Sequence, residues 1–283
     1  MKWFTASAAL LGACALAGCG GAGGEAYTAG SSPAPAAAAA SSAAASSAVS
    51  APILTDDASA GTGTAPASAA TPVTTTGGPA SPPARSTLVE ALRPTIHQWP
   101  IPFPRARKEQ MAAYSLEHYG EDTYVLSHPK VIVEHYTETA TAQEAYNTFA
   151  PDVPDSEFHE LPNTCAHFLV EKSGRIDQLV ALNIRCRHTT GLNWTAIGIE
   201  NVGLSDQEIL DDHAQITASL RLTRWLRCRY GIALKNVIGH NESLSSPYHR
   251  DRVPAFQHQT HSDWKHADMQ IYRGLLGKLA CPS

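Results

Sequence analysis

Apolar and polar positions in the C-terminal two thirds of the chain follow two alternating spacings, which predict strands interleaved with helices. Short apolar runs bounded by polar or turn residues predict buried strands. Two of these runs flank the segment Glu171-Lys-Ser-Gly174, where a glycine at the turn predicts a β-hairpin. The predicted strands cover residues 131–133, 167–170, 176–180, 196–202 and 237–239.

Helical spacing separates these strands. Ser205 and Glu208 have the separation of a capping box, so a long helix is expected to begin there and to end before Gly231. The predicted helices cover residues 108–118, 141–149, 205–230 and 267–279. Strands interleaved with helices indicate an α/β fold, and the hairpin adds an antiparallel pair. We therefore expect a mixed central β-sheet flanked by helices.

The N-terminus has the features of an export signal. Met1-Lys2 precedes an apolar stretch of small residues that is short for a membrane-spanning helix. The stretch closes with Leu16-Ala-Gly-Cys19, which resembles the bacterial lipobox, so residues 1–19 are predicted to be a lipoprotein signal peptide and Cys19 a lipid anchor. A cleaved secretory peptide with an incidental cysteine is the alternative, and Cys14 is a second, less well placed candidate.

Composition divides the rest of the chain into a linker and one domain. Residues 20–85 are rich in Ala, Ser, Gly, Thr and Pro and carry too little apolar surface to form a core, so a disordered linker is expected. Residues 86–283 have the content of a single globular domain. The net charge of −5 and the absence of a Lys/Arg-rich stripe argue against nucleic-acid binding. We expect a monomer.

Four cysteines fall in the predicted domain, at positions 165, 186, 228 and 281. In an exported protein they are disulfide candidates, and zinc ligation is the less favoured alternative because no CxxC pair is present. Closing the predicted hairpin brings Cys165 and Cys186 to the same end of the ladder. Cys228 and Cys281 each end a predicted helix. We therefore expect the pairs 165–186 and 228–281.

Three polar residues with metal or acid–base chemistry close apolar runs of strand type. They are His135, Glu200 and His240, and His261 lies further along the chain in Gln259-Thr-His-Ser-Asp263. A catalytic zinc needs about three protein ligands, an open position for water and a nearby carboxylate that is not a ligand. The sequence therefore predicts a zinc hydrolase with its site at the strand ends.

The sequence resembles type-2 N-acetylmuramoyl-L-alanine amidases, a family similar to phage lysozyme-type amidases and peptidoglycan recognition proteins. The resemblance covers roughly Pro129 to the C-terminus. In chain order it is carried by His135-Tyr-Thr137, Ala166-His-Phe-Leu-Val170 with Gly174 and Gln178-Leu-Val180, Arg187-His188 followed by Asn193-Trp194, Ile197-Gly-Ile-Glu200, and Gly239-His240.

The resemblance implies a zinc amidase that cleaves the amide between the lactyl group of N-acetylmuramic acid and L-alanine in peptidoglycan. His135 and His240 would be the first two zinc ligands, and Glu200 would transfer the proton. A different function on the same fold is binding of peptidoglycan or muropeptide without cleavage. Three metal-capable positions and Glu200 favour the enzyme.

The third zinc ligand is the point where the chain departs from the family pattern. In the family it is commonly an aspartate or cysteine, often two residues after a lysine. We expect His261 as the third ligand here, with Gln259 in the place of the lysine as a substrate-binding neutral donor. His258 and Asp263 lie in the same loop and remain alternatives.

His188 and Trp194 are expected near the substrate groove, although each also has a structural alternative. His188 is placed there by the resemblance but would also suit a polar loop, and Trp194 would pack either on the substrate or in the core beneath the loop. Together the features predict a lipid-anchored enzyme of the bacterial cell envelope with an exported catalytic domain.

Overall fold

The computed structural model describes residues 84–283. The signal peptide and the lipid-anchor site at Cys19 lie outside the described residues, as does nearly all of the predicted linker. These assignments stay predictions. Within residues 84–283, no helix has both the length and the apolar character that crossing a membrane requires.

Within the described residues, six strands form one mixed sheet in the order β1-β4-β3-β5-β2-β6. Strands β3 and β4 pair antiparallel, and the other pairs named here run parallel. The strands are β1 His97–Gln98, β2 Val131–Tyr136, β3 Phe168–Val170, β4 Ile176–Gln178, β5 Ala196–Asn201 and β6 Val237–Gly239. The predicted mixed sheet is confirmed. Strand β1, a two-residue exposed edge strand, was not predicted.

Helices pack against the sheet and cover its hydrophobic core. They are α1 Arg85–Glu90, α2 Arg105–Tyr119, α3 Ala142–Phe149, α4 Asp206–Asp211, α5 His213–Tyr230 and α6 His266–Gly277, with 3₁₀ turns at Leu234–Asn236, His240–Ser245 and Pro254–Phe256. The predicted continuous helix over 205–230 is wrong at one point. Asp212 has an extended backbone, and its carboxylate accepts the amides of Ala214 and Gln215, so it caps a new helix.

The central strands β2 and β5 are buried on both faces, as expected for parallel strands covered by other elements. Ile132 and Ile197 belong to the large core cluster that includes Trp225 of α5. Val131 and Val133 belong to a separate cluster with Leu192. Alternate residues of β2 therefore face different layers, and His135 lies on the face of Val131 and Val133.

Both predicted disulfides are confirmed. Cys165 bonds to Cys186 across the ends of the hairpin, with a Cα–Cα distance of 5.6 Å. Cys228 near the end of α5 bonds to Cys281 beyond α6, with a Cα–Cα distance of 5.4 Å. The second bond ties the last residues of the chain to the long central helix.

Candidate active site

His135 and Glu200 are adjacent at the carboxyl ends of two central strands. They are register partners in the parallel pairing of β2 with β5, so both side chains project from the same face of the sheet. Two residues before Glu200, Gly198 lies beneath the imidazole of His188, where a Cβ atom would come within 2.6 Å of the ring. Glycine at this position is therefore needed for His188 to approach the sheet.

His240 reaches the same edge from β6. Strand β6 pairs with β2 so that Gly239 is opposite Glu134, and His240 follows directly. The rings of His135 and His240 lie with their centroids 4.6 Å apart, and both side chains are buried. The order of the strands thus brings together two histidines that are separated by a hundred residues in the chain.

Together with His135 and His240, Asp263 completes a set of side chains that can hold a metal ion, here called the metal group. Its Oδ2 lies 3.1 Å from His135 Nδ1, and its Oδ1 lies 3.3 Å from His240 Nδ1. One ligand atom from each of these three residues lies within 4.8 Å of the others. Ligands bonded to zinc at about 2.0–2.1 Å in a tetrahedron are about 3.3 Å apart, so the donor types and spacing fit a zinc ion.

The position of Asp263 is fixed by the residue that follows it. Trp264 is fully buried, and its carbonyl oxygen lies where a Cβ on Gly239 would be, at 2.0 Å. The amides of Trp264 and Lys265 donate to the Asp206 carboxylate at the start of α4, at 2.7 and 2.9 Å. A glycine before His240 and a carboxylate on α4 therefore bring Asp263 to the metal group.

His261, the ligand expected from the sequence, lies beside this group. Its ring stacks on that of His240 with centroids 4.7 Å apart, while its Nε2 lies 3.1 Å from the carboxylate of Glu157. The side chain is 45% exposed. Geometry favours Asp263, which the sequence left open, over His261 as the third ligand. His258, the other alternative, is exposed.

The second ring nitrogen of His135, Nε2, contacts side chains that lie behind the metal group. His135 Nε2 lies 3.2 Å from His188 Nδ1 and 3.3 Å from Thr189 Oγ1. Burial, together with the neighbouring His135, lowers the pKa of His188 well below its usual value. A neutral His188 suits a partner that orients a metal-binding imidazole. His188 also lines the cleft.

Glu134 supports His135 from the opposite face of β2. Its carboxylate is fully buried and accepts hydrogen bonds from Thr223 of α5 at 2.7 Å and Tyr272 of α6 at 2.8 Å. Asn201 donates to the same carboxylate and to the carbonyl oxygen of His135, both at 3.0 Å. This network ties β2 to β5 and to both helices directly behind the metal group.

Glu200 has the properties of a proton-transfer group. Its side chain is buried, and Oε2 has no hydrogen-bond partner. Burial raises the pKa of Glu200 to about 7, although nearby His135 acts in the opposite direction. A carboxyl with a pKa near neutrality both accepts and releases a proton readily at physiological pH.

A cleft of about 260 Å³ opens above these residues. It contains the three metal-capable residues together with Glu200, Gln259 and His261, and Tyr114 and Phe158 form part of its wall. Trp194, expected as a substrate contact, is not among the lining residues. Its indole N–H donates to the carbonyl of Tyr248, and the guanidinium of Arg250 covers its ring at 3.8 Å. This is the structural role that the sequence left open.

One known protein family matches part of the chain. The model of a family described as N-acetylmuramoyl-L-alanine amidase matches residues 126–263. The chain is therefore similar to this family over just under half of its length. The match includes every residue of the metal group and Glu200, and it ends at Asp263. Segments α1, β1 and α2 precede the matched residues.

Solved amidase structures resemble this chain to a limited extent. The AmiD amidase from E. coli, solved with the substrate anhydro-N-acetylmuramic acid-L-Ala-D-gamma-Glu-L-Lys, shares 26% identity over 41% of this chain and 50% of its own, with a TM-score of 0.33. AMPDH3 from Pseudomonas aeruginosa shares 26% identity over 41% and 52%, with a TM-score of 0.32. LysC from Clostridium intestinale shares 16% identity over 65% and 99%, with a TM-score of 0.39. A comparison with curated protein sequences finds no match to this chain.

Proposed function

We propose that this protein is a zinc-dependent N-acetylmuramoyl-L-alanine amidase that hydrolyses the bond between N-acetylmuramic acid and L-alanine in peptidoglycan. The observation that carries the proposal is the grouping of His135, His240 and Asp263 next to Glu200 in one cleft of an amidase-family domain. Two imidazoles and one carboxylate leave a fourth position of a tetrahedral zinc open.

The proposed metal ligands are His135 and His240 through Nδ1 and Asp263 through its carboxylate. A zinc ion held there would polarise the scissile carbonyl and acidify a bound water. Asp263 would bring a negative charge to the ion: burial raises the pKa of its carboxyl, but the hydrogen bonds and charges of His135 and His240 outweigh burial and hold that pKa far below its usual value. The negative charge of Asp263 thus lies between the imidazole rings of His135 and His240.

Glu200 is the proposed acid–base residue. Its unpartnered Oε2 is available to accept a proton from the attacking water. The same carboxyl then donates this proton to the nitrogen of the departing L-alanine, so one residue serves both halves of the reaction. A pKa raised to about 7 suits this cycle, because neither form of the carboxyl is strongly favoured.

His261 is proposed to stabilise the oxygen that gains negative charge during the reaction. With Asp263 as the ligand, the residue two positions earlier is His261, which is where the family commonly has a lysine. Its Nε2 lies 3.1 Å from Glu157, which holds the ring at the edge of the cleft. Gln259, assigned this place from the sequence, also lines the cleft and supplies a neutral amide.

The experiment that tests the proposal is mass spectrometry of digested peptidoglycan. An amidase releases stem peptides that begin at L-alanine, whereas a protein that only binds muropeptide leaves them attached to the sugar. Glu200→Gln is the matched control, because it keeps the size of the side chain and removes its acid–base chemistry. Intact muropeptides after incubation with the zinc-loaded wild type would support the binding function instead.

We also propose that the protein is exported and anchored to a membrane of the bacterial cell envelope through lipid on Cys19. The support is the sequence Leu16-Ala-Gly-Cys19 after a short apolar stretch. Cys19→Ala should move the protein into the soluble exported fraction, and Cys14→Ala is the control that should not. A Cys19→Ala protein that still sediments with membranes would place the anchor elsewhere.

A further inference from the structure

Helix α2, which precedes the amidase-family residues, forms part of the cleft wall. Tyr114 on this helix lines the cleft, and its hydroxyl accepts from Asn193 Nδ2 at 3.4 Å. One turn later, His118 stacks under the ring of Tyr114 with centroids 3.9 Å apart. His118 is fully buried but does not itself line the cleft.

Both ring nitrogens of His118 contact carboxylates on different loops. Nδ1 lies 2.9 Å from Asp251 Oδ2, and Nε2 lies 3.1 Å from Glu160 Oε1. The Asp251 side chain is fully buried, and that of Glu160 is 21% exposed. An imidazole donates from both nitrogens only when it is protonated, so two ionised carboxylates at these distances favour the charged form.

The first of these loops carries cleft residues. Glu160 belongs to the segment 155–160, in which the amides of Glu157, Phe158 and Glu160 all donate to the carboxylate of Asp155. Glu157 and Phe158 both line the cleft, and Glu157 contacts His261. Glu160 is therefore part of the same hydrogen-bonded turn as these two cleft residues.

The second loop, residues 251–259, also reaches the cleft. Asp251 accepts the amide of Val253 at 2.9 Å, and the amide of Arg252 donates to the carbonyl of His118 at 2.8 Å. Phe256 in this loop packs on the ring of His118 and on Phe158, with centroid distances of 5.1 and 4.9 Å. The loop ends at Gln259, which lines the cleft.

We propose that His118 is a positioning residue of this amidase, which as an imidazolium holds the loops 155–160 and 251–259 in place and thereby sets the shape of the substrate cleft. The inference rests on the proposed function for its effect on turnover but not for its effect on the loops. Helix α2, which precedes the residues that match the family, would then contribute to the structure of the substrate cleft.

The electrostatic surroundings support the charged state. Burial opposes the charge, but the hydrogen bonds and charges of Asp251 and Glu160 outweigh it and raise the pKa of His118 to about 9. The guanidinium of Arg187 shares Glu160 and also contacts the carboxylate of Asp155. The charged and titratable groups around His118 are Asp251, Glu160, Asp155, Arg187, Tyr114 and Tyr119.

The test compares the full-length wild type with His118→Gln, which keeps one donor but loses the charge. Hydrogen–deuterium exchange of the amides in 155–160 and 251–259 should become on the order of tenfold faster, as expected when a buried charged hydrogen bond is lost. Exchange in β2 should stay as in wild type. KM for muropeptide should rise more than kcat falls, with zinc content unchanged.

His97→Gln is the matched control. His97 is another histidine paired with an aspartate in the same N-terminal segment, at 2.7 Å from Asp177, but it lies on the edge strand β1. It should leave loop exchange and KM unchanged. If His118→Gln does not fold, Glu160→Gln removes one charged partner while His118 stays in place, and the 155–160 amides are then measured alone.

The proposal is overturned by either of two exchange results: unchanged rates in both loops, or an increase spread equally over β2, which would make His118 a general stabilising residue. An NMR titration of wild-type His118 gives an independent measurement, and a pKa at or below the ordinary value would also overturn it. Neither measurement uses turnover. A protein without amidase activity would contradict the proposed function and leave these results interpretable.

Discussion

His135 and Glu200 are register partners on adjacent parallel strands, so the proposed metal ligand and the proposed acid–base residue are set side by side by backbone hydrogen bonds. Such an arrangement holds both groups more rigidly than loops would. Each group is also supported separately, His135 by Thr189 and His188 and Glu200 by burial. Their chemical roles can therefore be separated by substitution.

Glu200→Gln should preserve the fold and the bound metal but lower the rate by roughly 10²-fold or more, the usual contribution of a positioned acid–base group. Glu138→Gln is the control, since Glu138 is an exposed carboxylate on the same cleft and should affect the rate little. Zinc analysis and initial rates on muropeptide measure both effects. Wild-type turnover in Glu200→Gln would remove Glu200 from the mechanism.

Asp263→Asn should reduce zinc content strongly, because the amide brings no charge to the ligand group. His261→Gln should keep near-stoichiometric zinc yet lower kcat, since its ring lies at the cleft edge and outside the group of ligand atoms. Metal analysis of the two purified variants distinguishes the two ligand assignments. The reverse result would restore His261 as the third ligand, as the sequence alone suggested.

Local apolar patterns are sufficient to locate the two central strands and the residues that end them. Apolar runs located β2 and β5, and the residues that close them, His135 and Glu200, follow from the same pattern. The proposed third ligand, Asp263, did not follow, because three metal-capable side chains share the segment 258–263 without a periodicity that orders them. The choice of Asp263 depends on Trp264 packing against Gly239 and on Asp206, which are distant in sequence.

Strand β1 and the helix break at Asp212 also could not be predicted from local patterns. Strand β1 is a two-residue exposed strand that forms by pairing with β4, and no apolar run marks it. The break at Asp212 lies within a segment whose apolar spacing continues on both sides, and only the capping by its carboxylate reveals the second helix start.

The sequence did contain one signal for Asp263. In the family pattern the third ligand is commonly an aspartate two residues after a basic position, and Asp263 follows His261 at that spacing.

His167 should make the domain sensitive to acid. Burial lowers the pKa of His167 to about 4, although its hydrogen bond to the carbonyl of Ile184 acts in the opposite direction. The unfolded chain therefore binds this proton first, at about pH 6.5. Stability from this group is fully present above that pH and falls by about 3 kcal/mol as the pH drops towards 4.

The acid effect is measured by chemical denaturation between pH 7 and pH 4, with metal removed so that ligand release does not contribute. His167→Gln should weaken the pH dependence, although it lowers stability at pH 7 because the ring also accepts the amide of Gly198 at 3.1 Å. His213→Gln at the exposed start of α5 is the control. Equal slopes for wild type and His167→Gln would exclude His167 as the source.

The two disulfides should differ in their effect on activity. Cys165 lines the cleft, and its bridge to Cys186 directly precedes Arg187 and His188. The bridge from Cys228 to Cys281 lies at the end of α5, among the residues that pack on the large core cluster. Loop-entropy arguments for separations of 21 and 53 residues give roughly 3 and 4 kcal/mol of stability, respectively.

Replacing Cys228 and Cys281 by serine should therefore lower the thermal midpoint and leave kcat and KM near wild-type values at temperatures where the protein stays folded. Replacing Cys165 and Cys186 should lower both stability and activity, because the segment that carries His188 loses its attachment to the hairpin. Thermal denaturation and kinetics of the two double variants make the comparison. Equal activity in both would show that the cleft does not depend on the Cys165–Cys186 bond, since only that bond adjoins the residues behind His135.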